Sequence, residues 1–374
     1  MLITQKTTRR RSSGNVAFTV LLAGVLAFAA ACSGERADST TAGAGGGTVR
    51  LLGAGATFPN PLYQKWLSEY SKVNPKAEIN YQSIGSGGGI QQIQSQTIDF
   101  GASDAPMSDE DLKKAAGGEL LHIPTVLGAV VITYNLQGIA APLRFSPDVI
   151  ADIFLGKIKK WNDPRIVADN PGAQLPATDI SVVHRSDGSG TTAVFTDYLA
   201  KVSPEWKTKP GAGKSIDWPV GIGGKGNEGV SGQIKQTPNT IGYVELAYAV
   251  QTKLPVALIK NKSGNFVAPS LEATTAAAAE SLATTPADLR VSITDPAGAE
   301  AYPISSYTYI LVYKDQKDAT KGKALVDFLW WGIHEGQQVT KDPQYPYAAL
   351  PPQIVEKAST LLNSITSGGK TLRS

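Results

Sequence analysis

Short apolar segments alternate with amphipathic helical patterns along most of this chain, and that alternation constrains the fold more than any other feature. Strand patterns lie at 49–52, 79–81, 98–103, 126–134, 180–184 and 307–313. Asn60 and Pro61 predict the N-cap and the first residue of a helix. Leu62, Trp66 and Tyr70 follow at intervals of four residues, as the buried stripe of a helix would. Strands that alternate with helices predict an α/β architecture with mainly open sheets.

The N-terminal residues have the pattern of a secretory signal. Lys6 and three arginines at 9–11 precede an apolar run at 16–31, which ends in three alanines. We expect residues 1–31 to be a signal peptide that is removed by cleavage. The alternative is an uncleaved membrane anchor, for which the run falls short of the ~20 residues that a spanning helix needs.

Cys32 is the only cysteine in the sequence, so an intrachain disulfide is excluded. It directly follows the small residues and resembles the lipidated cysteine of bacterial lipoproteins, although Ala29 stands where that motif usually has leucine. The alternative is ordinary cleavage that leaves a free thiol. We expect residues 32–48 to be a lipidated cysteine and a flexible tether rich in glycine and small polar residues.

Removal of the signal changes the charge of the protein. Residues 1–31 hold four positive residues and no acidic residue, so the formal net charge falls from +3 to −1 without them. The positive charge therefore belongs to the signal, and the remaining chain does not indicate a nucleic-acid partner.

Three glycine-rich segments each follow a strand pattern and precede a helical one. They are GAGATF at 53–58, GSGGG at 85–89 and RSDGSGT at 185–191. The first turn of a helix has unpaired N–H groups and a partial positive charge, so such a junction favours an anion. One such segment is more often a structural turn, but three that carry serine or threonine favour one shared anion.

Other chemistries fit the sequence poorly. GAGKS at 211–215 lacks the first glycine of a nucleotide-binding P-loop, because Thr208 occupies that position. The GxGxxG pattern at 221–226 has no clear βαβ frame and is expected to be a loop. His122, His184 and His334 lie apart from other metal ligands. A Ser–His hydrolase built on Ser189 and His184 stays an alternative, although the spacing of a nucleophile elbow is missing.

Asp104 lies at the end of a strand pattern, where ligand residues gather in open α/β sheets. A carboxylate beside an anion site is useful only if the anion itself carries a proton. The alternative is an aspartate that caps a helix or a turn.

Eight segments together resemble the substrate-binding protein of the high-affinity phosphate ABC importer. They are GAGATFP at 53–59, IGS at 84–86, DFGASDAP at 99–106, FLGKIKKW at 154–161, DGSGT at 187–191, GGKGN at 223–227, IGYVE at 241–245 and YAALP at 347–351. The resemblance covers residues 49–351 and is poorest at 260–295. It implies a two-domain, hinged periplasmic-binding-protein fold of type II with the ligand in the cleft. Domain I would comprise 49–127 and 304–374, and domain II 128–303.

The resemblance also implies the phosphate contacts. They fall on Thr57, Phe58 (through its backbone N–H), Ser86, Asp104, Arg185, Ser189, Gly190 and Thr191. Asp187 is expected to pair with Arg185. The implied protein is a monomeric, non-enzymatic receptor that needs no cofactor or metal. Its partners would be inorganic phosphate, the permease subunits of an ABC importer, and the membrane, to which a lipid anchor would attach it. The protein would lie in the periplasm or on the outer face of the cytoplasmic membrane.

Two other functions remain open at this point. A phosphate-ester hydrolase could hold its product in the same anion site, and a receptor could bind a different tetrahedral oxyanion. Phosphate near neutral pH keeps a P–OH group from which Asp104 can accept a hydrogen bond, whereas sulfate has no such group. The carboxylate therefore favours phosphate.

Overall fold

The computed structural model describes residues 47–139 and 142–373. The expected signal, Cys32 and the tether as far as residue 46 lie outside the described residues. Within these ranges the strands, in chain order, are β1 Val49–Gly55, β2 Ala77–Ser83, β3 Phe100–Ser103, β4 Leu120–Asn135, β5 Arg144–Phe145, β6 Ser181–Arg185, β7 Ile222–Gly224, β8 Thr240–Glu245, β9 Leu258–Lys260, β10 Phe266–Val267, β11 Ser305–Tyr313, β12 Thr366–Ser367 and β13 Lys370–Thr371.

Helices cover the faces of the main sheet. The described helices are α1 Asn60–Val73, α2 Ser86–Gln94, α3 Asp109–Lys113, α4 Pro147–Phe154, α5 Pro164–Asp169, α6 Gly190–Val202, α7 Pro204–Thr208, α8 Gly226–Gln236, α9 Leu246–Thr252, α10 Leu271–Ser281, α11 Ala319–Ile333 and α12 Pro352–Asn363, with a 3₁₀ helix at Glu335–Lys341. The stretch at 260–295, which the sequence left unassigned, contains β10 and α10.

The main sheet has the strand order β2-β1-β3-β11-β4-β8-β6-β7. β1 runs parallel to β2 and β3, and β6 runs parallel to β7 and β8. β11 is antiparallel to both β3 and β4. The sheet is therefore mixed, with a parallel group of strands at each end.

The long strand β4 joins the two groups. It pairs with β11 from Leu120 to Ala129 and with β8 from Val130 to Asn135. Every residue of β4 except Asn135 is buried, as expected of a strand that is covered on both faces. The predicted domain boundaries at 127/128 and 303/304 are not tested by this topology, because one continuous sheet includes strands from both parts.

Helix α1 confirms the predicted apolar stripe and corrects its start. Leu62, Trp66 and Tyr70 are all buried. Asn60, predicted as the N-cap, is the first helical residue, and Pro59 takes the cap position without a side-chain hydrogen bond.

Strand β1 is longer than predicted and includes the first glycines of the 53–58 segment. Those glycines pair with β2 and β3 on both sides. A Cβ on Gly53 would lie 2.1 Å from the Phe100 ring, so the missing side chain makes room for that ring against the sheet.

Candidate functional site

The three glycine-rich segments meet at one place. The Gly190 N–H donates to Ser86 Oγ over 3.0 Å, and Arg185 Nη1 donates to Thr57 Oγ1 over 3.2 Å. Four strands lie between β1 and β6 in the sheet, so the contact exists because the sheet curls and brings its two parallel groups together. The predicted convergence of these segments is confirmed.

Close backbone approach explains the glycines in two of the segments. The Gly87 N–H donates to the Gly188 carbonyl over 2.8 Å. A Cβ on Gly190 would lie 2.5 Å from Ser86 Oγ and 2.6 Å from Asp104 Oδ2. A larger residue at Gly190 would hold the two segments apart.

The site is enclosed although its side chains are polar. Its buried members are Thr57, Ser86, Asp104, Arg185, Ser189 and Thr191, each at most 3% exposed. Burial of polar groups costs free energy unless they find hydrogen-bond partners. Most of these groups are donors, so an anion with several acceptor oxygens suits the site.

Arg185 is held by Asp187 in a two-point ion pair. Arg185 Nε donates to Asp187 Oδ1 over 2.8 Å, and Nη2 donates to Oδ2 over 2.5 Å. Burial alone would lower the pKa of Arg185, but the Asp187 hydrogen bonds and charge outweigh it, and the pKa lies above its ordinary value. The pairing confirms the prediction for Asp187. It fixes the guanidinium with Nη1 toward Thr57 and Thr191.

Asp104 directly follows β3 and is 1% exposed. Thr308 Oγ1 donates to its Oδ1 over 2.9 Å, and Thr191 Oγ1 donates to its Oδ2 over 3.4 Å. Burial raises the pKa of Asp104 to about 7, although the hydrogen bond from Thr308 and the charge of Arg185 oppose the rise. Its partners come from β11 and α6, which does not fit the alternative of a local helix or turn cap.

Two predicted contact residues have additional roles in the fold. Ser189 Oγ accepts from the Thr192 N–H over 3.0 Å and so caps α6, which leaves its hydroxyl hydrogen able to donate. The Phe58 side chain is fully buried in the core, and its carbonyl accepts from the Tyr347 hydroxyl over 2.7 Å. Only the backbone N–H of Phe58 was predicted to act.

Asn227 belongs to the site and was missed in the sequence. Its Nδ2 donates to Thr57 Oγ1 over 2.7 Å and to Thr191 Oγ1 over 3.1 Å. The Glu245 N–H donates to its Oδ1 over 3.0 Å. The signal was available, because Asn227 ends the GGKGN segment that carries part of the resemblance.

The prediction of a loop at 221–226 was wrong. β7 pairs in parallel with β6, and α8 begins at Gly226 directly after it. This fourth strand–helix junction brings Asn227 to the site. Its strand pattern is only three residues long, too short to recognise from periodicity.

The histidines have structural surroundings. His122 Nε2 accepts from the Met107 N–H over 3.0 Å, and burial lowers the pKa of this imidazole to about 3. His184 stacks on Trp218 and His334 on Trp330. Across 47–139 and 142–373, the acidic, histidine and cysteine side chains form no group of three or more that could hold a metal ion.

A family model for the PBP superfamily domain matches residues 40–330, so the chain belongs to that superfamily. A phosphate-binding protein PstS of Xylella fastidiosa (strain 9a5c) is 46% identical over 311 residues, which are 83% of this chain and 84% of the relative. The corresponding protein of Pasteurella multocida (strain Pm70) is 47% identical over 325 residues, 86% and 93% of the two chains. Within the superfamily, the chain therefore belongs to the family of these phosphate-binding proteins.

Solved structures support the fold. A phosphate-binding protein from Stenotrophomonas maltophilia superposes with a TM-score of 0.64 at 20% identity and covers 83% of this chain and 93% of that one. A high-affinity periplasmic phosphate-binding protein bound with phosphate gives a TM-score of 0.63 at 21% identity, with coverage of 84% and 93%. The predicted periplasmic-binding-protein fold of α/β type is thus confirmed.

Proposed function

We propose that this chain captures inorganic phosphate outside the cytoplasmic membrane and delivers it to the permease of an ABC importer. The observation that carries the proposal is Asp104, a buried acid within a ring of hydrogen-bond donors. Such a group fits an anion that brings its own proton. Membership of a family whose relatives are named phosphate-binding proteins supports the same ligand.

The donors would bind the bare oxygens of phosphate. They are the side chains or N–H groups of Thr57, Phe58, Ser86, Arg185, Ser189, Gly190 and Thr191, with Asn227 as an addition from the structure. Ionised Asp104 would accept from the P–OH group. A buried site that is built to hydrogen-bond a ligand hydroxyl can reject an analogue without that hydroxyl by ~10⁴–10⁵-fold. Sulfate is such an analogue, because it has no equivalent of the P–OH group. Phosphate would therefore be strongly preferred.

The ion pair of Arg185 and Asp187 limits the contribution of general electrostatic attraction to phosphate binding. With Asp187 beside it, the guanidinium adds little net positive charge to the site. Oriented hydrogen bonds, each worth ~1.5–3 kcal/mol when one partner is charged, would then dominate over general attraction. Affinity should depend only weakly on ionic strength.

Titration calorimetry tests the ligand directly. The mature chain should bind phosphate and arsenate, which share size and protonation, and should not bind sulfate at pH 8. Equal affinity for phosphate and sulfate would contradict the proposal. The same titrations in low and high salt would check that affinity changes little.

The receptor is proposed to act without catalysis. A phosphate-ester hydrolase would need an activated nucleophile or a metal. Within 47–139 and 142–373, the hydrogen bonds of the histidines go to residues other than Ser189. Incubation with a chromogenic phosphate ester distinguishes the two functions. Enzyme-like release of the chromophore, lost in the Ser189→Ala variant, would favour the hydrolase.

Secretion, a lipid anchor on Cys32 and a monomeric state complete the proposal. Among the described residues, no helix has the length and apolar character needed to span a bilayer. The anchor depends on Cys32 and on a motif with Ala29 in place of leucine. Mass spectrometry of the mature N-terminus would detect a lipidated Cys32, whereas an unmodified thiol would contradict the anchor.

A further inference from the structure

Two consecutive carbonyls in the turn after β1, those of Thr57 and Phe58, are each held by a tyrosine hydroxyl. Tyr248 donates to the Thr57 carbonyl over 2.6 Å, and Tyr347 donates to the Phe58 carbonyl over 2.7 Å. Both tyrosines are buried. The two bonds are nearly equal in length, yet they act on different peptide groups.

The two peptide groups differ in what they can give a ligand. The Thr57–Phe58 peptide is trans, so its carbonyl and the Phe58 N–H point in opposite directions. The Asn60 N–H also donates to the Thr57 carbonyl over 3.1 Å. The shorter bond from Tyr248 therefore adds to this local turn in fixing the direction of the Phe58 N–H. The Phe58–Pro59 peptide has no N–H at all, so the bond from Tyr347 orients no donor.

Tyr248 also comes from a distant part of the chain. It lies in α9, 191 residues from the loop that it holds. Its hydroxyl is 2.9 Å from Glu228 Oε1, and Glu228 in turn contacts Ser83 over 3.4 Å. Thus the hydroxyl reaches Thr57 only when the segments of α8 and α9 lie against β1 and β2.

We propose that Tyr248 is a positioning residue for the anion. By holding the Thr57 carbonyl, it turns the Phe58 N–H away from itself and polarises that peptide, because an accepted hydrogen bond strengthens the donor at the other end of the group. The role requires the proposed function, in which Phe58 donates to phosphate. It links the orientation of one backbone donor to the approach of the two parts of the protein.

Matched Tyr→Phe variants test this role. Tyr248→Phe and Tyr347→Phe each remove one buried hydroxyl that donates to a backbone carbonyl and also lies near a carboxylate. That carboxylate is Glu228 for Tyr248 and Glu245, 3.0 Å away, for Tyr347. We expect the dissociation constant for phosphate to rise about tenfold in Tyr248→Phe and less than about threefold in Tyr347→Phe. Equal losses in the two variants would show that both tyrosines act only through stability and would overturn the proposal.

An NMR readout separates positioning from stability. With isotope-labelled phenylalanine, the Phe58 amide proton of the wild-type chain should shift downfield when phosphate is added. The shift should shrink in Tyr248→Phe and persist in Tyr347→Phe. An unchanged shift in Tyr248→Phe would overturn the proposal.

Glu228→Gln covers the case in which Tyr248→Phe does not fold. Glu228 is exposed, and its carboxylate competes with Thr57 for the single hydroxyl hydrogen of Tyr248. Glutamine can instead donate to that hydroxyl, so the Phe58 shift should be retained or grow. A smaller shift would contradict the role of Tyr248.

The failure of the proposed function is a separate outcome. It would be seen as wild-type protein that binds no phosphate.

Discussion

Asp104 combines two properties that rarely occur together, nearly complete burial and a position among donors. The donors stabilise its ionised form, while burial disfavours that form and prevails, so its pKa rises to about 7. The unliganded protein therefore holds a proton on Asp104 in acid and loses it near neutral pH. Stability and selectivity should both depend on this proton.

The stability of the unliganded protein should fall as pH rises. A pKa raised from 3.8 to about 7 adds stability that is present below pH ~4 and lost as pH approaches ~7, worth roughly 4 kcal/mol. Urea unfolding between pH 4 and 8 should show a decline in wild type that is largely absent in Asp104→Asn. Parallel pH profiles for the two proteins would contradict the assignment.

Selectivity should change with the same substitution. Asparagine at position 104 can donate to a bare oxygen, so Asp104→Asn should weaken phosphate binding and allow sulfate binding. In wild type, protonated Asp104 can also donate, so sulfate affinity should increase from pH 8 to pH 5. Calorimetry with both anions measures this. A variant with unchanged selectivity would remove Asp104 from its role.

Arg185→Ala should lose phosphate affinity and still fold. Each hydrogen bond from a charged donor contributes ~1.5–3 kcal/mol, so we expect a loss of ~10- to 100-fold for each such bond. Arg165→Ala is a surface control, because that arginine pairs with Asp152 and Asp163 away from the site. Calorimetry and thermal unfolding should be measured for both variants. Wild-type affinity in Arg185→Ala would contradict its role.

At the scale of elements, the site is made of helix N-termini at the ends of parallel strands. Ser86 begins α2 and Gly190 begins α6. The first turns of both helices have N–H groups without partners inside the helix. The approach of the two turns depends on glycine, because added atoms would collide with Ser86 and Asp104.

Gly190→Ala should therefore impair binding. Its Cβ would lie within 2.7 Å of three atoms of Ser86 and Asp104, and overpacking of this kind costs ~1–3 kcal/mol. We expect the dissociation constant for phosphate to rise about tenfold or more. Gly232→Ala in α8 is the control, because no atom lies within 4 Å of its added Cβ. Calorimetry that shows equal affinity in both variants would contradict the close approach.

At the scale of the whole molecule, ion pairs cross between the two predicted domains at one helix. Lys214 lies 3.7 Å from Asp111, and Arg290 lies 2.7 Å from Asp109. Both ion pairs link the short helix α3 to segments in the range 128–303. A third contact crosses at Gly188, whose carbonyl accepts a hydrogen bond from the Gly87 N–H over 2.8 Å.

The predicted division into two hinged domains implies a change of shape on binding. Small-angle scattering should show a smaller radius of gyration when phosphate is added, because the two predicted domains close on the ligand. Sulfate at pH 8 should leave the radius unchanged. The Gly190→Ala variant should close less completely than Gly232→Ala at saturating phosphate. An identical radius with and without phosphate in the wild-type chain would contradict the hinged division at 127/128 and 303/304.

The sequence by itself determined the long elements and the glycine-rich junctions, whereas the individual contact residues were implied by the resemblance. The stripe of α1, the apolar run within β4 and the anion-binding junctions are local patterns, so they can be recognised without the fold. A role for Asp104 could be predicted, because a carboxylate beside an anion site is useful if the anion carries a proton. Short elements such as β7 carry too little periodicity, and Asn227 was missed with it.

Only the tertiary structure decided which groups meet. β1 and β6 are far apart in the sheet, and the curl of that sheet brings Ser86 to Gly190. Burial depends on the same assembly, so the raised pKa of Asp104 could not be read from neighbouring residues. The bond from Tyr248 to Thr57 joins residues that no local pattern connects. Residue types determined the chemistry, whereas long-range packing determined its geometry and its electrostatics.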